Sequence, residues 1–219
     1  MKVVAFSGSP RKGKTTDRVI GEILKEVDCD KEFIRLAPMN ISPCKACLAC
    51  VEDNICKKKD DMRPLREKII NADAFIIGAP NYFSMLNGIT HNFLERLCQF
   101  RHQSCDILAG KLVAVVGVGS LQPEIPAAQI KKIITYYQME HVGTVTAQGA
   151  ASCFTCGFGE DCDNGAVRML YGLGRKITKD IIPDLSKQPT KIVEAQNLGK
   201  LLMSRLQDKY SGQPAAVGG

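Results

Sequence analysis

Residues 2–16 read KVVAFSGSPRKGKTT, and this stretch decides the fold. The apolar run Lys2–Phe6 predicts a strand, and the apolar stripe along Thr16–Val27 predicts an amphipathic helix. The segment between them is rich in glycine, hydroxyl-bearing and basic residues. Backbone N–H groups at such a turn and at a helix N-terminus form an anion site. The stretch therefore predicts a strand–loop–helix unit that binds a phosphate group.

The rest of the chain repeats this alternation of short apolar runs and amphipathic segments. Further strands are predicted at Phe33–Leu36, Ala74–Gly78, Lys111–Val118 and Val142–Thr146. Further helices are predicted at Met62–Ile70, Gly88–Phe100, Ala127–Tyr137, Val167–Ile182 and Thr190–Leu206. Five strands, each followed by a helix, predict an α/β protein with a flavodoxin-like doubly wound five-stranded parallel sheet of order 2-1-3-4-5. Ligands bind such a sheet at the carboxyl ends of its strands.

Two features divide the chain. Residues 37–61, after the second strand, form an insertion that is too long for an ordinary βα loop and holds four cysteines. Pro183 and Pro189 interrupt the helical pattern, so we expect residues 1–182 to form the sheet domain and residues 183–219 a C-terminal helical extension and tail. The apolar stripe of Thr190–Leu206 either forms a subunit interface or packs on its own sheet.

The composition narrows the class of protein. The chain has 219 residues, of which 45% are hydrophobic and 24% charged, as in a globular protein. The net charge is +6, but the chain has no Trp and no basic–aromatic interleaving, so nucleic acid is not an expected partner. Its longest apolar run is strand-sized, so no membrane span is predicted. The first residues lack a secretory signal, and we expect a cytoplasmic protein.

The cysteines are unusually numerous, at ten. In a reducing compartment, clustered cysteines indicate metal or redox chemistry. Cys44, Cys47, Cys50 and Cys56 follow the spacing C-x2-C-x2-C-x5-C, and thiolates are the ligands of iron–sulfur clusters. The spacing favours one [4Fe–4S] cluster. Zinc is an alternative, although structural zinc sites usually separate two ligand pairs; a thiol or disulfide role is the third.

Cys153, Cys156 and Cys162 form a second constellation with only three thiols. It is a candidate second metal or cluster site, a C-x-x-C redox or substrate-facing thiol pair, or a structural feature. A fourth ligand could come from a set of four residues: Asp161, Asp163, Cys98 and Cys105. Cys98 lies on an apolar helical stripe and is expected in the core. The three histidines, His91, His102 and His141, form no motif, and each is expected to be a surface or helix residue rather than a ligand.

The first loop also fits a nucleotide-hydrolase pattern. Residues 8–15 read GSPRKGKT and match GxxxxGK[ST] after a strand and before a helix. Such an ATPase needs a carboxylate at the end of another strand to hold Mg²⁺. The third predicted strand ends in Gly78-Ala-Pro-Asn81, which has no acid. The ATPase, carrying a cluster, is therefore an alternative of lower rank.

Three motifs resemble those of the iron–sulfur flavoproteins, a branch of the flavodoxin-like NAD(P)H-dependent FMN reductases known from methanogenic archaea and other anaerobes. They are SGSPRKG at 7–13, PCKACLAC at 43–50 with Cys56, and APNYF at 79–83 followed by NFLER at 92–96. The resemblance covers roughly residues 1–150. It departs from the family pattern at Thr15, where the family often has Asn, and at residues 121–126, which contain less glycine.

The resemblance implies a set of FMN contacts. The first loop would hold the phosphate through Ser7, Ser9, Pro10, Arg11, Thr15 and Thr16. The loop after the third strand would line the flavin ring through Pro80, Asn81, Tyr82, Phe83 and Ser84. The loop after the fourth strand would cover the other edge of the ring through Gly117, Val118, Gly119 and Ser120. No catalytic side chain is assigned.

The implied activity is that of an oxidoreductase with FMN and a [4Fe–4S] cluster. Electrons would pass from a low-potential donor, ferredoxin or NAD(P)H, through the cluster to FMN and on to a small acceptor. The resemblance also implies a homodimer or homotetramer. Two further alternatives are a cluster-free NAD(P)H:quinone or FMN reductase with a structural zinc, and a pure electron carrier.

Overall fold

The computed structural model describes residues 1–103 and 106–212, so Cys105 and the end of the expected tail lie outside the described residues. The strands are β1 (Lys2–Ser7), β2 (Asp30–Arg35), β3 (Ala74–Tyr82), β4 (Met85–Leu86), β5 (Leu112–Gly119) and β6 (Glu140–Gln148). The helices are α1 (Thr15–Lys25), α2 (Met62–Ile70), α3 (Gly88–Arg96), α4 (Glu124–Tyr136), α5 (Ala166–Tyr171) and α6 (Pro189–Ser211). Short 3₁₀ turns occupy Leu97–Phe100, Ser152–Phe154 and Leu185–Lys187.

The sheet has the order β2-β1-β3-β5-β6, and all four of these pairings are parallel. This is the predicted 2-1-3-4-5 topology. The predicted number of strands was wrong, because the two-residue β4 adds a sixth strand that pairs antiparallel with the end of β3. β3 runs past its predicted end at Gly78, since Pro80 still pairs with Val118 of β5 and Tyr82 with Met85 of β4.

Two apolar layers cover the faces of the sheet. On β1, Val3 and Ala5 point into a layer with α1 and α6, while Val4 and Phe6 point into a layer with α2, α3 and α4. Successive side chains of a strand face opposite sides, so both faces must be apolar when both are covered. This explains why the strands read as near-continuous hydrophobic runs. The carboxyl edge of the sheet is left for the loops.

Helix α6 packs on the sheet. Pro189 occupies its first turn, where a missing N–H costs no hydrogen bond. Ala195, Leu198, Leu202 and Leu206 are buried in the layer formed with α1. The apolar stripe of this helix therefore packs on the chain's own sheet, which was one of the two predictions for it. The predicted domain boundary at residue 182 stays a prediction. In the described ranges, neither α6 nor any other helix is long and apolar enough to cross a membrane.

The helix predicted at Val167–Ile182 is much shorter than expected. Helix α5 ends at Tyr171, and Gly172 and Gly174 follow with φ values of +90° and +68°. Glycine adopts this left-handed region without a steric penalty, so the two glycines end the helix. The residues after them, up to the 3₁₀ turn at Leu185–Lys187, form irregular chain that packs over Phe154 and Val167.

Candidate functional site

A cavity of about 540 Å³ opens at the carboxyl ends of the central strands. Its size lies in the range of small-molecule sites. The predicted cofactor residues that line it are Ser9, Arg11, Thr15, Thr16, Pro80, Asn81, Tyr82, Phe83, Ser84, Val118, Gly119 and Ser120. Ser7, Pro10 and Gly117 are not among its lining residues. The topology thus brings the three predicted loops to one place, as the sheet order requires.

Ser7 lies behind the first loop because its hydroxyl has another partner. It donates a 2.6 Å hydrogen bond to the carboxylate of Asp17, and the N–H of Gly13 donates to the same carboxylate at 2.8 Å. The guanidinium of Arg35 lies 3.2 Å from it. Asp17 therefore ties the two ends of the loop together. Asp17 was not among the predicted site residues, although an acid in the first turn of a helix is a recognisable signal.

The start of α3 supports the same loop from the other side. The amide of Asn87 donates to the carbonyl of Gly8 at 2.8 Å, and the hydroxyl of Thr90 donates to the Asn87 side chain at 2.7 Å. Both side chains are buried. A Cβ on Gly8 would lie 1.7 Å from Thr90 Oγ1, so only glycine fits there. Asn87 and Thr90 were not among the predicted site residues, because no local sequence pattern connects them to the loop.

One end of the cavity is suited to an anion. Thr15 and Thr16 begin α1 and line the cavity, and no side chain caps the helix at Lys14. The first N–H groups of a helix have no acceptor within the helix, and they attract negative charge. Arg11 and Lys14 add positive charge to the lining. These groups together fit a phosphate.

The other end of the cavity is a hairpin turn locked to the loop after β5. Phe83 and Ser84 have φ values of +53° and +57°, as a two-residue type I′ turn requires. The Asn81 amide donates to the carbonyls of Leu121 and Gln122 at 2.9 and 3.0 Å. Its Oδ1 is buried without a hydrogen-bond partner in the part of the chain that is described. This oxygen is an acceptor left without a donor beside the cavity.

The cavity fits the cofactor that the resemblance implies. FMN combines a phosphate with a flat ring whose edge carries hydrogen-bonding groups. The anion end suits the phosphate, and the wall with Tyr82, Val118 and the Asn81 oxygen suits a ring with a polar edge. The fit rests on the chemistry of these groups.

The ATPase alternative lacks the carboxylate that it needs. No Asp or Glu is among the described residues that line the cavity. The carboxylate that touches the first loop, Asp17, already accepts hydrogen bonds from Ser7 and Gly13. A Mg²⁺ ion in such a site is held by carboxylate oxygens. The loop therefore matches the GxxxxGK[ST] sequence pattern but lacks the carboxylate that an ATPase needs to hold Mg²⁺.

The cysteine insertion is irregular chain between β2 and α2. Cys44 and Cys47 are exposed, and Cys50 and Cys56 are half-buried. In the ranges described, no group of three or more His, Cys, Asp or Glu side chains is arranged to hold a metal ion. Four thiols are the kind of donor set that an iron–sulfur cluster requires, but the structure does not gather them around one point.

Arg96 at the end of α3 anchors this insertion. Its guanidinium is buried, forms a salt bridge with the carboxylate of Asp60, and donates to the Ser42 carbonyl at 2.9 Å. A further N–H of Arg96 donates to the Cys56 thiol at 3.2 Å. Burial alone would raise the pKa of Asp60, but the hydrogen bonds from Arg96 and Ser42 lower this pKa to about 2. The pair is therefore charged at neutral pH.

Two more side chains of this region hold the backbone beside the thiols. Glu95 accepts a hydrogen bond from the N–H of Cys44 at 3.3 Å, and Gln99 accepts one from the N–H of Cys56 at 3.1 Å. The motif NFLER at 92–96 thus has a structural role, which the resemblance alone did not explain. Helix α3 spans nine residues, or about 13 Å. One short helix therefore joins the cavity loop to the thiol segment.

The prediction for Cys98 was wrong, and His102 lies beside one of the predicted cluster ligands. His102 is half-buried, and its Nε2 lies 3.1 Å from the sulfur of Cys50. Cys98 is half-buried rather than in the core. The pKa of Cys50 is raised, first by burial and then by the nearby thiols of Cys98, Cys56 and Cys44. These groups lie in one neighbourhood because the 3₁₀ turn after α3 crosses the insertion.

The segment after β6 forms a cavity wall that the sequence analysis did not predict. Its lining residues are Gly149, Ala150, Ala151, Ser152 and Cys153. The Ser120 hydroxyl donates to the Gly149 carbonyl at 2.6 Å and fixes the start of this wall. Cys153 is thereby brought to the cavity, whereas Cys156 and Cys162 are not among the lining residues. The sequence alone does not indicate that Cys153 reaches the cavity, because it lies far along the chain from the other cavity loops. The order of the strands brings them together.

Comparisons with known proteins identify the family of this chain. The family model of NADPH-dependent FMN reductases matches residues 1–151. An iron-sulfur flavoprotein of Archaeoglobus fulgidus is 40% identical over 98 residues, which are 44% of this chain and 48% of that protein. The match thus spans about half of that relative. An iron-sulfur flavoprotein of Methanosarcina thermophila is 30% identical over 157 residues, or 70% of this chain and 80% of that protein.

A solved structure shares the fold. A flavone reductase superposes with a TM-score of 0.62 at 14% identity, and the match covers 97% of this chain and 65% of that one. At this level of identity the similarity concerns the fold alone.

Proposed function

This chain belongs to the NADPH-dependent FMN reductase family and to its iron–sulfur flavoproteins, which are oxidoreductases, and we propose that it carries electrons through a [4Fe–4S] cluster and FMN. The donor is a low-potential one, a ferredoxin or NAD(P)H, and the final acceptor is a small molecule. The observation that carries the proposal is the cavity, which joins an anion site to an open, ring-sized wall at the carboxyl edge of the sheet.

For FMN, the support comes from the three loops. Ser9, Arg11 and the first turn of α1 would hold the phosphate, and Asp17 would keep that loop closed. The hairpin at Tyr82–Ser84 would lie along the ring. FMN would supply one- and two-electron chemistry, while the protein supplies binding and orientation.

For the cluster, the support is the donor set and its anchoring. Four cysteines within thirteen residues are typical of a local cluster, and Arg96 and Gln99 hold Cys56 in place. A cluster would supply one-electron transfer. We place the protein in the cytoplasm, where reduced thiols remain available as ligands, and we expect a homodimer or homotetramer.

Cofactor analysis of the anaerobically purified full chain tests the proposal. FMN, iron, sulfide and zinc are measured on one sample. We expect about one FMN and about four iron atoms per chain. Flavin with zinc and no iron would instead assign the plain reductase with a structural zinc. Absence of flavin, even after reconstitution with FMN, would overturn the proposal.

A pair of single substitutions separates the two cofactors. Cys50→Ser removes one predicted cluster ligand, and we expect it to lose most of the iron while it keeps FMN. Cys29→Ser is the matched control, because Cys29 lies near Met203 of α6, away from both sites, and should keep iron and FMN. Iron retained in full by Cys50→Ser would contradict the assigned ligand set.

A further inference from the structure

Cys153 lies in the wall of the cavity, although it belongs to none of the predicted cofactor loops. It follows β6 through a segment that starts beside the phosphate loop, since a Cβ on Gly149 would lie 3.3 Å from Thr15 Oγ1. On the same wall stand Asn164 and Met169. Cys153 therefore lies beside whatever the cavity binds.

Cys156 folds back onto Cys153. The two residues are joined by a helical turn, in which Thr155 N–H donates to the Ser152 carbonyl at 2.9 Å. The Cys156 thiol donates to the Cys153 carbonyl at 3.6 Å. Residues three apart in a helical turn have Cβ atoms about 5–6 Å apart, whereas a disulfide needs about 3.5–4.5 Å, so the turn must tighten for the two sulfurs to bond. C-x-x-C is the spacing of redox-active dithiols, in which such a bond forms and breaks reversibly.

The backbone around the pair is well supported. The Cys153 sulfur accepts a hydrogen bond from the N–H of Ala166 at 3.4 Å. Phe154, between the two cysteines, is buried with Val167 and Ile181 and contacts the ring of Tyr171 edge-on at 6.4 Å. This small apolar cluster fixes Cys153 against the cavity, while Cys156 stays exposed.

A second metal site is the competing explanation for these cysteines. The constellation offers only three thiols, one fewer than a local iron–sulfur cluster uses. Cys162, the third thiol, packs against Gly165 rather than toward the cavity wall. A pair of thiols next to a redox cofactor needs no third ligand.

We infer that Cys153 and Cys156 form a redox-active dithiol that exchanges two electrons with the flavin, an inference that rests on the proposed function. In the reducing direction, the two-electron-reduced flavin gives two electrons and two protons to the Cys153–Cys156 disulfide. The S–S bond breaks, two thiols form, and the flavin returns to its oxidised state. The reverse reaction reduces the flavin and forms the disulfide. The pair thus stores two electrons beside the cofactor.

An anaerobic reductive titration of the full chain with bound FMN tests this inference. Dithionite is added while flavin absorbance is followed, and samples are alkylated and peptide-mapped by mass spectrometry. Wild-type protein should take up about two electrons per chain more than Cys153→Ser or Cys156→Ser. Cys29→Ser should match the wild type. The map should show a Cys153–Cys156 disulfide before the titration and two alkylated thiols after it, and protein stripped of FMN should keep the disulfide longer.

The outcomes distinguish this inference from the proposed function. Equal electron uptake in all variants, with FMN bound and bleached normally, would overturn the dithiol and leave the proposed function intact. Loss of zinc or iron in Cys153→Ser would assign these thiols to a metal and also overturn it. Failure to bind FMN would overturn both.

Discussion

Arg96 donates a hydrogen bond to the sulfur of Cys56 at 3.2 Å while its guanidinium pairs with the carboxylate of Asp60. One buried cation thus holds a predicted cluster ligand and the end of the cysteine insertion together. The same helix, at its other end, supports the phosphate loop through Asn87. The two predicted cofactor sites therefore depend on one rigid element.

Arg96→Ala should destabilise the protein strongly. The substitution leaves the buried carboxylate of Asp60 without its cation, and breaking a buried pair in this way costs about 3–5 kcal/mol. The midpoint of urea unfolding of the full chain measures the loss. Arg63→Ala, an exposed arginine on α2, is the control and should change stability by about 0.5 kcal/mol or less. Equal midpoints for the two variants would refute the anchoring role of Arg96.

Asp17→Ala should weaken FMN binding although Asp17 is not among the residues that line the cavity. It removes the charged acceptor for Ser7 and Gly13, and hydrogen bonds to charged groups contribute about 1.5–3 kcal/mol. We expect the Kd for FMN to rise about tenfold or more, measured by quenching of flavin fluorescence. Glu22→Ala, on the same helix and paired with Lys25, should leave the Kd unchanged. An unaltered Kd in Asp17→Ala would show that the loop closes without it.

Gly8→Ala should disrupt the first loop. The new methyl group would lie 1.7 Å from Thr90 Oγ1, so either the loop or the start of α3 must move. We expect loss of FMN binding and a lower melting temperature. Gly21→Ala is the matched control, because a Cβ there meets no atom within 4 Å; it should raise stability by up to about 1 kcal/mol, since alanine favours a helix. A Gly8→Ala protein that binds FMN normally would contradict the close approach.

Tyr210→Phe should change how stability depends on alkaline pH. A hydrogen bond to Asp73, then burial, raise the pKa of Tyr210 from 10.0 to about 12. A raised pKa in the folded state stabilises the protein below pH 10, and this contribution disappears as the pH rises from 10 toward 12. The wild type should therefore lose more stability between pH 9 and pH 11 than Tyr210→Phe, as measured by urea unfolding.

The control for this pH dependence is Tyr136→Phe, because Tyr136 is exposed at the end of α4. It should keep the wild-type slope of stability against pH. Equal slopes for the wild type and Tyr210→Phe would show that the Tyr210–Asp73 contact does not persist in solution.

Much of the fold followed from local patterns. The runs at Val3–Phe6 and Leu112–Val118 predicted buried parallel strands because both faces of the sheet are covered. The strand order followed from the alternation of strands and helices. The end of α5 was missed, since Gly172 and Gly174 were not recognised as a helix stop. The strand β4 was missed because two residues carry no periodicity.

Sequence alone determined the chemistry available to this protein: a glycine-bearing loop before a helix, four closely spaced thiols, and a C-x-x-C pair. These are local properties, fixed by residue type and spacing. Tertiary structure alone decided which groups meet. Asp17 and Asn87 close the first loop from two different helices, Arg96 reaches Cys56, and Cys153 joins the cavity. Such contacts depend on the order in which parallel strands assemble, because that order brings distant loops to one edge of the sheet.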